Sequence, residues 1–353
     1  MASPPVDCLE HARDALSGRP ASVILEEIAA EIEKSRTLWI TAHANPDGDA
    51  LGSAVALGLA ATAMGKQVQV LFDSPLPEKL VGLVPGGSFR RVHDTKILLQ
   101  GAQIDLFVLL DTSEPERAGG IGNVGLSRAR RSVCLDHHVQ TASREFHHHL
   151  VVTQAPSTGS LVLALIGRLG VPLNREIAEA LWTAVSSDTG WFRFENTGAW
   201  ALRDAARLCE TGINIPRIYR QLYEDVPVAR MRILGTVLAG LRTEFDGAFL
   251  YGITRSSDVL ADGLSLADLD GVVDHLKSVR GSKVIAFIVE TGPNAFKVSL
   301  RAQGGHEVES LARKLGGGGH AKAAGGRFSG TLAQLLDLLR AEIAEKLKGL
   351  LER

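Results

Sequence analysis

The chain has 353 residues, 45% of them apolar and 22% charged, with a formal net charge of −2. That length suffices for two domains, each with its own core. The near-neutral balance excludes a broad basic surface for gripping long nucleic acid. Three cysteines, Cys8, Cys134 and Cys209, form neither a disulfide framework nor a Cys-x-x-Cys metal pattern, which fits a reducing compartment. Met1–Pro20 carries Asp7 and Glu10 and lacks an apolar core of signal-peptide length, and no apolar run approaches the roughly 18 residues of a membrane span. A cytoplasmic protein is expected.

Ala21 to Arg36 has helical periodicity, with Ile24, Ile28 and Ile32 on one stripe. The apolar run Leu38–Ala42 then reads as a strand and leads into His43-Ala44-Asn45-Pro46-Asp47-Gly48-Asp49. Pro and Gly favour a turn here, which can fold one imidazole and two carboxylates toward one point. Such a set suits Mn, Fe, Co or Zn. The competing reading is an ordinary acidic strand-to-helix turn with Asp49 as the N-cap. Ala50 to Met64 reads as a small-residue helix ended by Gly65, and Gln67 to Phe72 as a strand. Ile104–Leu110 is a buried-strand run ending in Asp111-Thr112-Ser113, and Ser132–Leu135 is another, ending in Asp136-His137-His138. Between them, Gly120–Gly125 matches the dinucleotide fingerprint by letter, but no strand directly precedes it and no helix is expected after it, so it reads as a flexible loop. His147-His148-His149 is not expected to bind one ion, because adjacent strand residues alternate faces.

Strand and helix signals alternate to about residue 138, the pattern of a parallel sheet with crossover helices. In such sheets ligand crevices form at the carboxyl ends of the strands, where His43, Asp111 and His137 stand. Residues 157 to 240 are predominantly helical, and the pattern Ile177–Val185 ends at a fourth acid, Asp188, in the turn Ser187-Asp188-Thr189-Gly190. Arg193 and Asn196 could line a pocket or be structural. Pro216, Pro227 and the charged stretch between them mark a connection, giving a domain at 1–225, a connecting helix or linker at 226–244 and a second domain at 245–353. The second domain has strand patterns at Ala248–Thr254, Lys283–Thr291 and Ala295–Ala302, a helix at Glu307–Leu315, the loop Gly316-Gly317-Gly318-Gly319-His320 and a C-terminal helix. Glycines let backbone N–H groups approach an anion, so this loop is favoured as a phosphate site over a plain linker, with Arg301 as its partner.

His43, Asp47, Asp49, Asp111, His137 and Asp188 are too many ligands for one catalytic ion that must keep open positions, but they suit two. At this point the sequence closely resembles the DHH phosphoesterase family, through His43-Ala-Asn-Pro-Asp47-Gly-Asp49, Asp111-Thr-Ser, Asp136-His137-His138 and Ser187-Asp188-Thr-Gly, with the glycine-histidine loop of an accompanying DHHA1 domain. The resemblance implies an α/β fold in which a parallel-sheet DHH domain with flanking helices joins a smaller α/β DHHA1 domain, with the active site in the cleft between them. It implies that His43, Asp47 and Asp111 bind one metal and that Asp49, Asp111, His137 and Asp188 bind the other, Asp111 bridging. By the same resemblance His138 faces the scissile phosphate, Asp136 orients a histidine, and the two divalent ions are Mn²⁺. Gly317, Gly318, Gly319, His320 and Arg301 would bind substrate.

Within the family the chain is most similar to compact bacterial oligoribonucleases that also remove phosphate from 3′-phosphoadenosine 5′-phosphate. The expected partners are therefore short RNA oligonucleotides and small adenine nucleotides, with no long duplex and no membrane. A homodimer is compatible with the sequence, which leaves oligomeric state open. Cyclic di-adenylate hydrolysis is the alternative activity. A non-catalytic nucleotide sensor is the alternative of another class, and it should have lost ligands, yet all six positions are filled.

Overall fold

The computed structural model describes residues 7–92, 103–138, 146–269, 271–319 and 321–351. Two compact units result, Met1–Asp225 and Val226–Arg353. The first is built on six parallel strands: β1 (Thr37–Ala42), β2 (Gln67–Phe72), β3 (Arg90–Arg91), β4 (Ile104–Leu110), β5 (Ala129–Asp136) and β6 (His148–Val151). Their order in the sheet is β3-β2-β1-β4-β5-β6. The winding reverses between β1 and β4, so the crevice expected of an open α/β sheet opens beyond their carboxyl ends.

Alternate side chains of the central strands enter two cores. Leu38, Ile40, Leu106, Val108, Val133 and Leu135 face the helices Ala21–Lys34, Gly48–Ala63, Thr158–Arg168 and Arg175–Asp188. Trp39, Phe107 and Leu109 face the other side with Ile121. That second side corrects one expectation, because Gly120–Arg128 is a helix and not a loop. Ile121 is buried in it, and the ring of Phe107 occupies the space a Cβ at Gly125 would need, 2.3 Å away. Burial against the sheet thus outweighs the poor helix propensity of its three glycines at 120, 122 and 125. The helix follows a single 3-10 turn, Pro115–Ala118, and no strand immediately precedes it.

Gly48–Ala63 is buried along nearly all its length and lies against Arg175–Asp188. Gly52 makes the approach possible: a Cβ there would stand 2.3 Å from the Ala180 carbonyl oxygen and 2.9 Å from the Ala184 nitrogen. The helix is capped by Asp47, whose Oδ1 accepts from the N–H groups of Asp49 and Ala50. The N-cap is therefore Asp47 and not Asp49, which lies inside the first turn and points into the protein.

The second unit has a mixed sheet of β7 (Arg242–Glu244), β8 (Phe249–Arg255), β9 (Val284–Gly292), β10 (Ala295–Ala302), β11 (Gly318–Gly319) and β12 (Ala323–Ser329), in the order β11-β12-β10-β9-β8-β7. Only β8 and β9 run parallel. One face packs on Glu309–Lys314 and Leu332–Leu351, the other on Val228–Ala239 and Val272–Leu276. Part of the expected glycine loop is strand: Gly318 and Gly319 pair with Gly325 and Ala324. Among the described residues no helix is long and apolar enough to cross a membrane.

The Gly52 contact yields a test. Gly52→Val should cost at least the ~1–3 kcal/mol typical of overpacking, read as a lower denaturation midpoint. Asp49 and Asp188 ride on the two helices this residue separates, so divalent-cation binding should weaken with it. An unchanged midpoint would show that the helices do not need this approach.

Candidate metal centre

Strand register assembles the site. Ala42 lies opposite Leu110, and Leu110 opposite Leu135. The next residues, His43, Asp111 and Asp136, therefore stand side by side, His43 and Asp111 just past their strands and Asp136 as the last residue of β5. Asp111 turns out of the sheet with φ 59°, a left-handed conformation an Asp tolerates better than most residues, while its N–H stays bonded to the Leu135 carbonyl at 3.0 Å. The His43 loop is pinned from outside by the N–H of Ala44 on the Arg117 carbonyl and the N–H of Asn45 on Ser74 Oγ. Asp49 arrives from Gly48–Ala63, and Asp188 from the end of Arg175–Asp188.

The six candidate ligands meet in one pocket. His43 Nε2 lies 3.3 Å from Asp111 Oδ2 and 3.9 Å from Asp47 Oδ1. His137 Nε2 lies 3.7 Å from Asp49 Oδ2, 3.7 Å from Asp111 Oδ1 and 3.5 Å from Asp188 Oδ2. Asp111 thus offers a different oxygen to each histidine. Three groups among the described residues could hold a cation: His43 with Asp47 and Asp111, Asp49 with His137 and Asp188, and Asp111 with His137 and His138.

The histidines are oriented for ligation. His43 Nδ1 is 3.0 Å from the Ala44 carbonyl and His137 Nδ1 is 3.2 Å from the Ala155 carbonyl, contacts that place the proton on Nδ1 and leave Nε2 as a lone pair. His137 Nε2 is buried and has no hydrogen-bond partner. A buried ring nitrogen without a partner, facing three carboxylates, is what a divalent cation would satisfy, so the residues fit such an ion.

Burial and crowding disturb the carboxyls. Burial, with the neighbouring Asp188 charge, pushes Asp49 up to about 7. Burial and Asp47 do the same to Asp188, also to about 7. Asp111 is raised well above the ordinary range by burial and by Asp49. A dication reverses this logic by favouring the ionised oxygens. Burial also lowers His137. His138 differs: burial opposes its charge most strongly, but the 2.8 Å contact of Nδ1 with Asp136 Oδ1 and the charges of Asp136, Asp188 and Asp49 together raise it.

Several other residues flagged in the sequence make contacts of their own. Asn196 Nδ2 donates to Asp188 Oδ2 and to the Pro156 carbonyl, bracing the Asp188 turn, whereas Arg193 Nε donates to the Gly190 carbonyl. The three adjacent histidines separate: His147 Nδ1 meets Ser132, His148 meets Glu27, and His149 faces Asp14. In the second unit, Arg301 is held by Asp274 through Nε at 2.9 Å and through a terminal nitrogen at 3.3 Å. Gly318 is open to solvent, while Gly317 lies against the Gly325 carbonyl, where a Cβ would stand 2.0 Å away. Its glycine serves close backbone packing. His320 lies outside the described residues.

Other contacts gave no sequence signal. Thr158 N–H donates to Asp49 Oδ2 at 2.7 Å, Gly159 N–H and Ser53 Oγ donate to Asp49 Oδ1 at 2.9 and 3.0 Å, and Thr158 Oγ1 donates to Asp111 Oδ1 at 3.0 Å. Ser157-Thr158-Gly159-Ser160 reads locally as a helix start and nothing more.

Comparison with known proteins places the chain. Residues 37–185 match the family model of the DHH family N-terminal domain, and residues 253–349 that of the DHHA1 domain. A bifunctional oligoribonuclease and PAP phosphatase, NrnA, from Thermus thermophilus is 32% identical over 323 residues, covering 90% of this chain and 94% of the relative. The chain belongs to the DHH family. An exopolyphosphatase-related protein from Bacteroides fragilis shares the fold at a TM-score of 0.85 and 24% identity, over 94% of this chain and 98% of that one. RecJ from Thermus thermophilus, solved in complex with Mn²⁺, shares it at 0.54 and 14%, over 92% of this chain and 55% of RecJ.

The raised carboxyls of this DHH-family centre predict a pH dependence. A group whose folded pKa is raised stabilises below its unfolded value, here near the ordinary 3.8, and that stability is lost as pH rises through about 7. Chelator-treated protein should therefore lose thermal stability from about pH 4 to about pH 8. Added Mn²⁺ should raise Tm more at about pH 8 than at about pH 5. An equal increment at both would argue against a cation meeting these carboxyls.

Proposed function

We propose that this chain is a metal-dependent phosphoesterase that cleaves very short oligoribonucleotides to mononucleotides and removes phosphate from 3′-phosphoadenosine 5′-phosphate. The observation that carries this reading is Asp111, a buried carboxylate set between two ligand groups and offering one oxygen to each. In this reading His43, Asp47 and Asp111 hold one Mn²⁺, and Asp49, Asp111, His137 and Asp188 hold the other. Two such ions would supply a water that ionises near neutral pH and would offset charge developing on the phosphoryl oxygens.

The protein's own groups then divide the remaining work. Asp136 fixes the His138 ring through Nδ1 and favours its protonated form, which suits His138 to face the scissile phosphate as a general acid toward the leaving oxygen. Arg301, kept in place by Asp274, is proposed to take an anionic group of the substrate away from the scissile bond, together with Gly317, Gly318, Gly319 and His320. A short substrate agrees with a net charge of −2, which gives no electrostatic track for a long strand. Free Cys134 and Cys209 support a cytoplasmic setting.

Asp111→Asn should abolish hydrolysis and lower metal content below the roughly two ions per chain expected of a two-metal site, in a protein that still unfolds cooperatively. His137→Ala should lose metal. His138→Ala should keep it and slow turnover about 10²–10⁴-fold. The panel should span dinucleotides, long RNA, 3′-phosphoadenosine 5′-phosphate and cyclic di-adenylate. Preference for long RNA or for the cyclic compound would overturn the substrate assignment, and a well-folded active Asp111→Asn the metal assignment.

Arg301→Ala should reduce kcat/KM strongly for dinucleotides while metal content stays unchanged. A minimal chromogenic phosphodiester should lose less. Equal losses on both substrates would remove Arg301 from substrate binding.

A further inference from the structure

Two of the buried acids in the pocket owe their orientation to hydroxyl and backbone donors that hold no place in the ligand set. Asp49 and Asp111 are each 1% exposed, and Thr158 and Ser53 are fully buried beside them. Thr158 is the first residue of the helix Thr158–Arg168, whose N-cap Ser157 accepts from the Ser160 N–H. That cap leaves the N–H groups of Thr158 and Gly159 directed out of the helix start, and both end on Asp49.

Lone-pair accounting shows what this does. A carboxylate has about four acceptor positions. On Asp49, Oδ1 receives Gly159 N–H and Ser53 Oγ, so it is filled, while Oδ2 receives only Thr158 N–H and keeps one lone pair. That oxygen is the one 3.7 Å from His137 Nε2. On Asp111, Thr158 Oγ1 occupies one position of Oδ1, the oxygen also 3.7 Å from His137 Nε2, and Oδ2 turns to His43. One residue therefore fixes the rotation of two carboxylates, through its N–H on one and its hydroxyl on the other.

We propose that Thr158, assisted by Ser53, is a positioning residue of the metal centre: it locks Asp49 as a one-oxygen ligand through Oδ2 and sets Asp111 to present one oxygen to each ligand group. The inference rests on the metal assignment made above and adds to it the device that holds the oxygens in place. Without the hydroxyl, Asp111 can rotate about χ2 and its two oxygens lose the fixed directions in which they would meet a cation. Outer partners of this type typically change metal affinity about 10–100-fold.

The test is a calorimetric Mn²⁺ titration of the chelated and reconstituted full chain. Thr158→Val keeps shape and the backbone N–H but removes the hydroxyl. It should weaken Mn²⁺ binding about 10–100-fold and shift the Mn²⁺ activation curve to higher concentration. Thr158→Ser restores the hydroxyl and should restore both, a rescue that a packing role for the methyl would not give. Ser53→Ala acts on Asp49 from a different helix and should weaken Mn²⁺ binding in the same direction, so it carries the test if the Val variant does not fold. Wild-type Mn²⁺ affinity in folded Thr158→Val or, failing that, in Ser53→Ala overturns the proposal and leaves the phosphoesterase reading standing. Failure of the wild type to bind Mn²⁺ overturns both.

Discussion

Everything at the centre of this molecule follows from confining several carboxylates where they repel one another and water cannot screen them. Asp49, Asp111 and Asp188 share a pocket with His43 and His137, and burial, with the charges of neighbouring carboxylates, raises all three acids. Such an arrangement is unfavourable in the bare protein and favourable around dications. The scaffold must therefore hold the acids together against their own repulsion. A parallel sheet does this well, because aligned register delivers His43, Asp111 and Asp136 as neighbours whose positions cannot slide independently.

The helices complete what the sheet begins. Gly48–Ala63 presents Asp49 inward and is itself fixed by the close approach of Gly52 to Arg175–Asp188, whose last residue is Asp188. The start of Thr158–Arg168 adds N–H groups whose dipoles favour negative charge on Asp49. Three helices and three strand ends thus converge on a few oxygens. Errors of a few tenths of an ångström in helix packing translate directly into ligand position, which is why small residues line that packing.

In the second unit the glycine-rich sequence serves two demands. Gly317 satisfies backbone packing against Gly325, whereas Gly318 has no neighbour where a Cβ would stand and remains exposed. Lys322 donates to the carbonyls of Gly304 and His306. Arg301 keeps its guanidinium plane fixed by Asp274. Rigid placement suits recognition of a planar anionic group better than a mobile side chain does.

The sequence by itself determined the α/β pattern, the strand ends near His43, Asp111 and His137, and the candidate ligand types, because apolar period and acid-terminated runs are local signals. It misread Gly120–Gly125, where the lack of a directly preceding strand and of an expected following helix argued for a loop, and burial of Ile121 in the core with Phe107 decided for a helix. Its competing reading also named Asp49 as the cap of Gly48–Ala63, where the structure has Asp47. Asp47 Oδ1 accepts from the N–H groups of Asp49 and Ala50, and this frees Asp49 to turn inward. Tertiary structure alone decided that Thr158 and Ser53 donate hydrogen bonds to the buried carboxylates. Those contacts join residues 47 and 109 positions apart, or depend on the rotation of one χ angle, and no local pattern of residue types encodes either.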